Sequence, residues 1–149
     1  MLRLSRLTDY AVVVLSAMAE RQGTVLSSAA LAEQTHVPEP TVAKILKMLA
    51  KDGLVASVRG AAGGYRLDEP AASISIGAIV TAVEGPIALT ACVEGSAQPC
   101  GIKECCPLQG RWDPVNEAIR AALAAVTVAD VVNQKCCAAK NTKFEEARL

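Results

Sequence analysis

The stretch THVPEPTVAKILKMLAKDGLVASVRGAAGGYRL, residues 35 to 67, decides how the chain is built. Its two prolines in three residues, Pro38 and Pro40, mark a turn. Pro40 suits the first position of a helix, where its missing N–H would go unpaired anyway. The spacing then predicts a helix over about 41–52, closed by Gly53, a residue free to adopt the left-handed cap. Val42, Ile45, Leu46 and Leu49 fall at i, i+3, i+4 and i+7 and make an apolar stripe, while Lys44, Lys47 and Lys51 align on another side. Beyond Gly53, LVASVRG and GYRLDEP alternate in strand fashion around GAAGG, which predicts a two-stranded hairpin with a flexible, glycine-rich tip.

Upstream, Thr8 is placed to cap a first helix with Ala11, Val14, Leu15 and Met18 at helical spacing, stopped by Gly23. A second, shorter helix starts at Ser27 or Ser28 and carries Ala30, Leu31 and Gln34. Three short helices followed by a basic hairpin form the winged helix-turn-helix pattern, in which one helix enters the major groove of DNA and arginine on the wing suits the minor groove. From Pro40 to Leu67 the five basic residues Lys44, Lys47, Lys51, Arg59 and Arg66 face the single acid Asp52, although 15 Lys+Arg balance 15 Asp+Glu overall. The local excess therefore points to nucleic acid where the global charge does not. Candidate DNA contacts are Thr41, Lys44, Lys47, Arg59 and Tyr65. The competing reading makes the lysines a solvated helix face, and Thr41 and Tyr65 a cap or packing residues. His36, the only histidine, reads as a surface or capping residue rather than a ligand.

With 52% hydrophobic residues but one Phe, two Tyr and one Trp in 149 residues, the core must be aliphatic. The opening MLRLSRLTDY is no signal peptide, since Thr8 and Asp9 break the apolar run. The run YAVVVL is far below the roughly 18 residues that cross a bilayer. A cytoplasmic protein with no membrane partner is expected. Downstream, Ser75 can cap a helix carrying Ile76, Ile79, Val80 and Val83, ended by Gly85 and Pro86. After a loop, Val115, Ile119, Ala122, Leu123 and Val126 make a further stripe; its helix is either kinked at Pro114 or started afresh with Asp113 as cap and Pro114 first. Such a helix beyond a complete winged helix calls for a two-fold partner, the alternative being that it folds back on its own domain. The expected class is mainly α: a winged helix-turn-helix domain with a two-stranded wing plus a long C-terminal dimerisation helix. It divides into a DNA-binding domain at 1–70, a cysteine loop and dimerisation helices at 71–132, and a mobile tail at 133–149.

Four of the six cysteines crowd into CVEGSAQPCGIKECCPLQ, residues 92 to 109; Cys136 and Cys137 stand apart. A reducing compartment argues against disulfides. The spacing Cys92-x7-Cys100-x5-Cys106, with Cys105 extra, lacks the paired knuckles of zinc sites, whereas iron–sulfur clusters accept varied spacing on a loop. Chemistry alone favours an iron–sulfur cluster over zinc, with a thiol redox switch third. No cysteine nucleophile has a histidine base near it, so no enzyme is expected.

LTDYAVVVL, the proline-bearing turn, LVASVRGAAGGYRL, ISIGAIVTAVEGPIALTAC and the cysteine loop followed by Trp112 together resemble the IscR-type iron–sulfur winged-helix regulators. The likeness covers about residues 1 to 132 and is strongest to regulators of the SUF iron–sulfur assembly operon. It implies a homodimer that binds double-stranded operator DNA and represses or activates promoters according to the state of a bound cluster, [2Fe–2S] ahead of [4Fe–4S]. It places the cluster ligands on Cys92, Cys100 and Cys106, the last preferred to Cys105 because Trp112 follows it by six residues. Two departures leave the fourth ligand open: Gln109 stands where some relatives carry histidine, and the x7 spacing exceeds the family's usual x5. Asp9 matches the position from which nitric-oxide-sensing relatives donate a carboxylate across the dimer; its alternative role is a first-turn acid favoured by the helix dipole. Cys105 is a further candidate, and Cys136 and Cys137 receive no role. A metal-free thiol-redox or zinc-structural winged-helix regulator is the alternative.

Overall fold

A computed structural model describes residues 3–96 and 98–133, so the tail with Cys136 and Cys137 lies outside the described residues. Helices α1 (Arg6–Ala19), α2 (Ser28–Thr35) and α3 (Glu39–Lys51) precede the antiparallel strands β1 (Ala56–Val58) and β2 (Gly64–Arg66). A short 3₁₀ turn, Ala71–Ser73, leads into α4 (Ile76–Glu84); after the cysteine loop come α5 (Asp113–Ala125) and α6 (Val128–Asn133). The mainly helical winged-helix class is as expected.

The stripes predicted from periodicity form the core. Val42, Ile45, Leu46 and Leu49 of α3 are fully buried, as are Ala11, Val14, Leu15 and Met18 of α1 to within 1%. Ile76, Ile79, Val80 and Val83 of α4 pack into the same cluster, which reaches from Ala11 to Val128 without one fully buried aromatic ring. Burial of each aliphatic side chain stabilises the fold by about 1.5–3 kcal/mol.

The ends of the elements differ from expectation in instructive ways. Ser5, not Thr8, caps α1: its hydroxyl accepts the Thr8 N–H at 3.2 Å. Thr8 is fully buried, and its own hydroxyl donates to Glu84 at the end of α4. The helix stops at Ala19, and the chain turns through Arg21 before Gly23 takes its left-handed φ of 79°. Helix α3 begins two residues early, at Glu39, with Pro38 as its cap and Pro40 in the first turn; Gly53, at φ 77°, follows the helix as predicted. His36 holds α2's C-cap with a left-handed φ of 58° and is exposed, the capping role expected of it.

The wing is more than a hairpin. Leu26 exchanges both backbone hydrogen bonds with Tyr65, at 2.9 and 2.8 Å, adding a third short arm beside β2. That pairing explains Gly64. A side chain there would bring its Cβ to 2.8 Å from the Leu26 carbonyl carbon, closer than real contacts allow.

The C-terminal helix is not notably long. Helix α5 has 13 residues, about 20 Å at the usual rise, and α1 has 14. Of the two starts considered for it, the fresh one is observed, but Trp112 is the cap, without a side-chain bond; Asp113 and Pro114 are its first two residues. Its far end is tied down where the Ile76 N–H donates to Val126 O at 2.8 Å and the Val128 N–H to Ile74 O at 2.9 Å. A Cβ on Gly77 would sit 3.3 Å from the Ala124 amide nitrogen, so α4 and α5 approach closely there. Among the described residues no helix is long and apolar enough to cross a membrane.

Two outcomes follow from this packing. Leu46 is 0% exposed, so Leu46→Ala should lower the unfolding free energy by about 2–5 kcal/mol in urea titration. Glu84 accepts from the Thr8 hydroxyl and, at 2.8 Å, from the Ser5 N–H. The Thr8 bond chiefly, with the Ser5 N–H adding to it against partial burial, holds the Glu84 carboxyl below the usual carboxylate range. A depressed folded pKa means stability that is present above glutamate's ordinary value and lost as pH falls through the lowered one. Thermal melts from neutral to acid pH should therefore show a smaller acid loss for Glu84→Gln than for the unaltered chain.

Candidate functional site

Helix α3 turns its core stripe inward, which leaves Lys44, Lys47 and Lys51 exposed on the other side. Arg59, at the base of the wing, is exposed too. Among the described residues none of these four cations makes an ion pair. Arg66 is different: its Nε and Nη2 grip Asp68 in a two-pronged bond, the second contact at 3.2 Å. Asp68 lies just outside the window whose charge was counted from the sequence, so one of the five basic residues there is neutralised locally. The wing turn over 59–63 is shaped by Gly60, at φ 117°, where a side chain would be strained.

The two uncharged candidates are less open. Thr41 is half-buried in the first turn of α3, its N–H donated to Pro38 O at 2.9 Å. Tyr65 is half-buried with its ring packed on the core, and its backbone is committed to Leu26.

The cysteine loop runs from Gly85 to Trp112 and carries one 3₁₀ turn, Lys103–Cys105. Its four thiols are free; Cys92, Cys100 and Cys106 are half-buried and Cys105 is exposed. The Cys92 sulfur lies 3.2 Å from the Thr90 hydroxyl. Cys100 and Cys105 line one open groove with Glu104, a groove that Cys92 and Cys106 do not reach. Among the described residues no three His, Cys, Asp or Glu side chains gather closely enough to hold one metal ion. The donor chemistry, three half-buried free thiols on one loop, suits an iron–sulfur cluster, whose irons accept thiolates from varied positions along a loop. Gln109 is exposed. Asp9 is exposed in the first turn of α1, in grooves shared with Val12 and Val131 that no cysteine lines.

Three residues that sequence reading missed fasten the start of this loop. Asn116 of α5 is only 4% exposed. Its side-chain oxygen accepts the Leu89 N–H at 3.0 Å, and its amide donates to Ile87 O at 3.1 Å. Glu84 and Thr8 form the second fastening, described above. The inward row of α5 is Asn116, Ile119 and Leu123, whereas Val115 and Val126, from the predicted stripe, are 45% and 41% exposed. A polar residue at i, i+3 and i+7 with two apolar ones was the signal for Asn116. Nothing local marks Glu84, because its partners lie 76 and 79 residues away.

Known proteins share this fold. The Rrf2 family, described as an iron-dependent transcriptional regulator, matches residues 4–134. The HTH-type transcriptional regulator IscR of Yersinia enterocolitica is 34% identical over 123 residues, 83% of this chain and 66% of its own, just under two thirds. Among solved structures, CymR, the global cysteine regulator of B. subtilis, superposes with a TM-score of 0.68 at 25% identity, covering 91% of this chain and 100% of that one. IscR of T. potens gives 0.62 at 29% identity over 88% and 86%. These relatives are transcriptional regulators, not enzymes. A match across nearly the whole described length, on a winged helix with an outward cationic face, leads to one conclusion: this chain belongs to the Rrf2 family of DNA-binding transcriptional regulators.

Proposed function

We propose that the chain is a dimeric, cytoplasmic transcription regulator whose grip on operator DNA answers to the state of its cysteine loop, with an iron–sulfur cluster as the group the loop carries. The observation that carries the DNA half is the set of four exposed cations, Lys44, Lys47, Lys51 and Arg59, on α3 and the wing, none of them in an ion pair among the described residues. Helix α3 presents Lys44 and Lys47 to the major groove, with Thr41 near a phosphate at its first turn. Arg59 reaches the minor groove from the wing, and Tyr65 flanks it. The loop and the paired C-terminal helices, residues 71–132, form the sensing half beside the DNA-binding half at 1–70.

The cluster half rests on three half-buried free thiols on one loop and on the likeness to IscR. Cys92, Cys100 and Cys106 are its ligands, the loop closing around the group, with [2Fe–2S] ahead of [4Fe–4S]; such a cluster would supply a redox- and iron-sensitive tie between parts of the loop. Asp9 of the partner subunit is the candidate fourth ligand, since it is exposed and lies away from its own chain's cysteines. The likeness to IscR-type regulators makes iron–sulfur assembly genes the regulated set. Val115 of α5 and Val126 just past its end, both over 40% exposed, support the dimer, because a second copy would cover what one copy leaves open. The metal-free thiol alternative keeps one observation of its own, the shared groove of Cys100 and Cys105.

Two measurements test these halves separately. Lys44→Ala should weaken operator binding and Arg59→Ala should weaken it more, by about 1–3 kcal/mol, each lowering the salt slope by about 0.9. Unchanged affinity and slope in both variants remove the recognition surface. For the loop, anaerobic purification should give visible absorption with iron and sulfide in equal amounts, lost in Cys92→Ala; stoichiometric zinc without sulfide overturns the cluster.

A further inference from the structure

Among the described residues only two polar side chains are buried, Thr8 and Asn116, and both serve the same six-residue segment, residues 84–89. Burying a polar group costs about 1–3 kcal/mol unless it is hydrogen-bonded, and no buried side-chain polar atom among the described residues lacks a partner. At one end, Glu84 receives the Thr8 hydroxyl and the Ser5 N–H, so it ties the segment to the first turn of α1. At the other, Asn116 binds Leu89 N–H and Ile87 O together, as a neighbouring strand would, and ties it to α5. Between the ties the chain leaves α4 through Gly85, whose φ of 92° other residues resist. Ile87 packs against the core, and Cys92 follows Leu89 by three residues.

We propose that residues 84–89 are a strap that transmits the position of the cysteine loop to the N-terminus of α1, with Asn116 and Glu84 as its positioning residues. The proposal rests on the reading that loop state governs DNA binding. Its physical content is narrow. The strap has one anchor on α5 and one on α1, so a shift at Cys92 carried back along the chain either breaks the Asn116 pair or reaches α1 through Glu84. Helix α1 packs on α3, the helix that carries the lysines, so a displaced α1 re-aims the cationic face.

The full-length protein tests this in two arms. In metal-free protein, amide exchange followed by mass spectrometry reads the far anchor. Asn116→Asp keeps an acceptor for Leu89 but loses the donor to Ile87; it should speed exchange at Ser5 and Thr8 by about fivefold or more, the usual scale of site coupling. Glu84→Ala should do the same at Leu89. If Asn116→Asp or Asn116→Ser speeds exchange only around 87–89, the residue is a local packing group and the strap is overturned. In the second arm, a DNA duplex enriched from a random pool on the unaltered protein is titrated with protein reconstituted with iron and sulfide and with metal-free protein. The two affinities should differ for the unaltered chain and converge to within about twofold for Asn116→Asp, with iron content and dimer mass retained. A difference that survives in Asn116→Asp overturns the strap alone. No difference in the unaltered chain overturns the proposed function and the strap's regulatory role, while the exchange arm still decides the mechanical link.

Discussion

Everything in this protein hangs from the burial of one face of α3. Val42, Ile45, Leu46 and Leu49 are fully buried in an aliphatic cluster shared with α1 and α4, and among the described residues no aromatic ring is fully buried to fill gaps. A helix locked on one side has no freedom to rotate, so Lys44, Lys47 and Lys51 face outward together. Aliphatic packing at native density thus does two things with one set of contacts. It supplies most of the stability, and it aims the cations. The wing is fastened in the same way: Gly64 lets Leu26 pair with Tyr65, so the hairpin that carries Arg59 is tied to the chain between α1 and α2.

The C-terminal half is organised by polar contacts instead. Helix α5 buries little of itself: Asn116 is its one buried residue, with Ile119 and Leu123 half-buried beside it. What holds it is a backbone bridge at Ser75 and Thr127, a close approach at Gly77, and the Asn116 amide. Such an arrangement leaves Val115 and Val126 exposed and fastens the loop at its start, with Val93 buried just beyond Cys92. The same fold is found in CymR, the global cysteine regulator of B. subtilis.

Much of this was legible in the chain. Stripes at 3.6-residue spacing in α1, α3 and α4 predicted the core because each helix has only one neighbour-facing side, and Gly53 and the Pro38–Pro40 pair marked turns through purely local sterics. The reading failed where two roles compete for one residue. Thr8 looks like a cap, yet Ser5 one turn earlier takes that role and frees Thr8 to be buried against Glu84. Arg66 counts toward the basic excess of residues 40–67 until Asp68, just past that window, reaches it. Val115 looks like part of the inward stripe of α5 but is exposed, with Asn116 buried beside it, and Val126 lies past the helix as its extended cap.

By itself the sequence determined the order of helices, turns and wing, the residues of the aliphatic core, the cationic face and the crowding of thiols into one loop. Those properties depend on periodicity, φ preferences and charge within a dozen residues. Tertiary structure alone decided which row of α5 points inward, that Leu26 completes the wing, and that Glu84 and Asn116 hold the loop's root. Each is a contact between groups 27 or more residues apart, such as Asn116 with Leu89 or Ser5 with Glu84 at 79. A hydrogen bond of that span exists only once the core has brought its two ends together, and no local pattern encodes it.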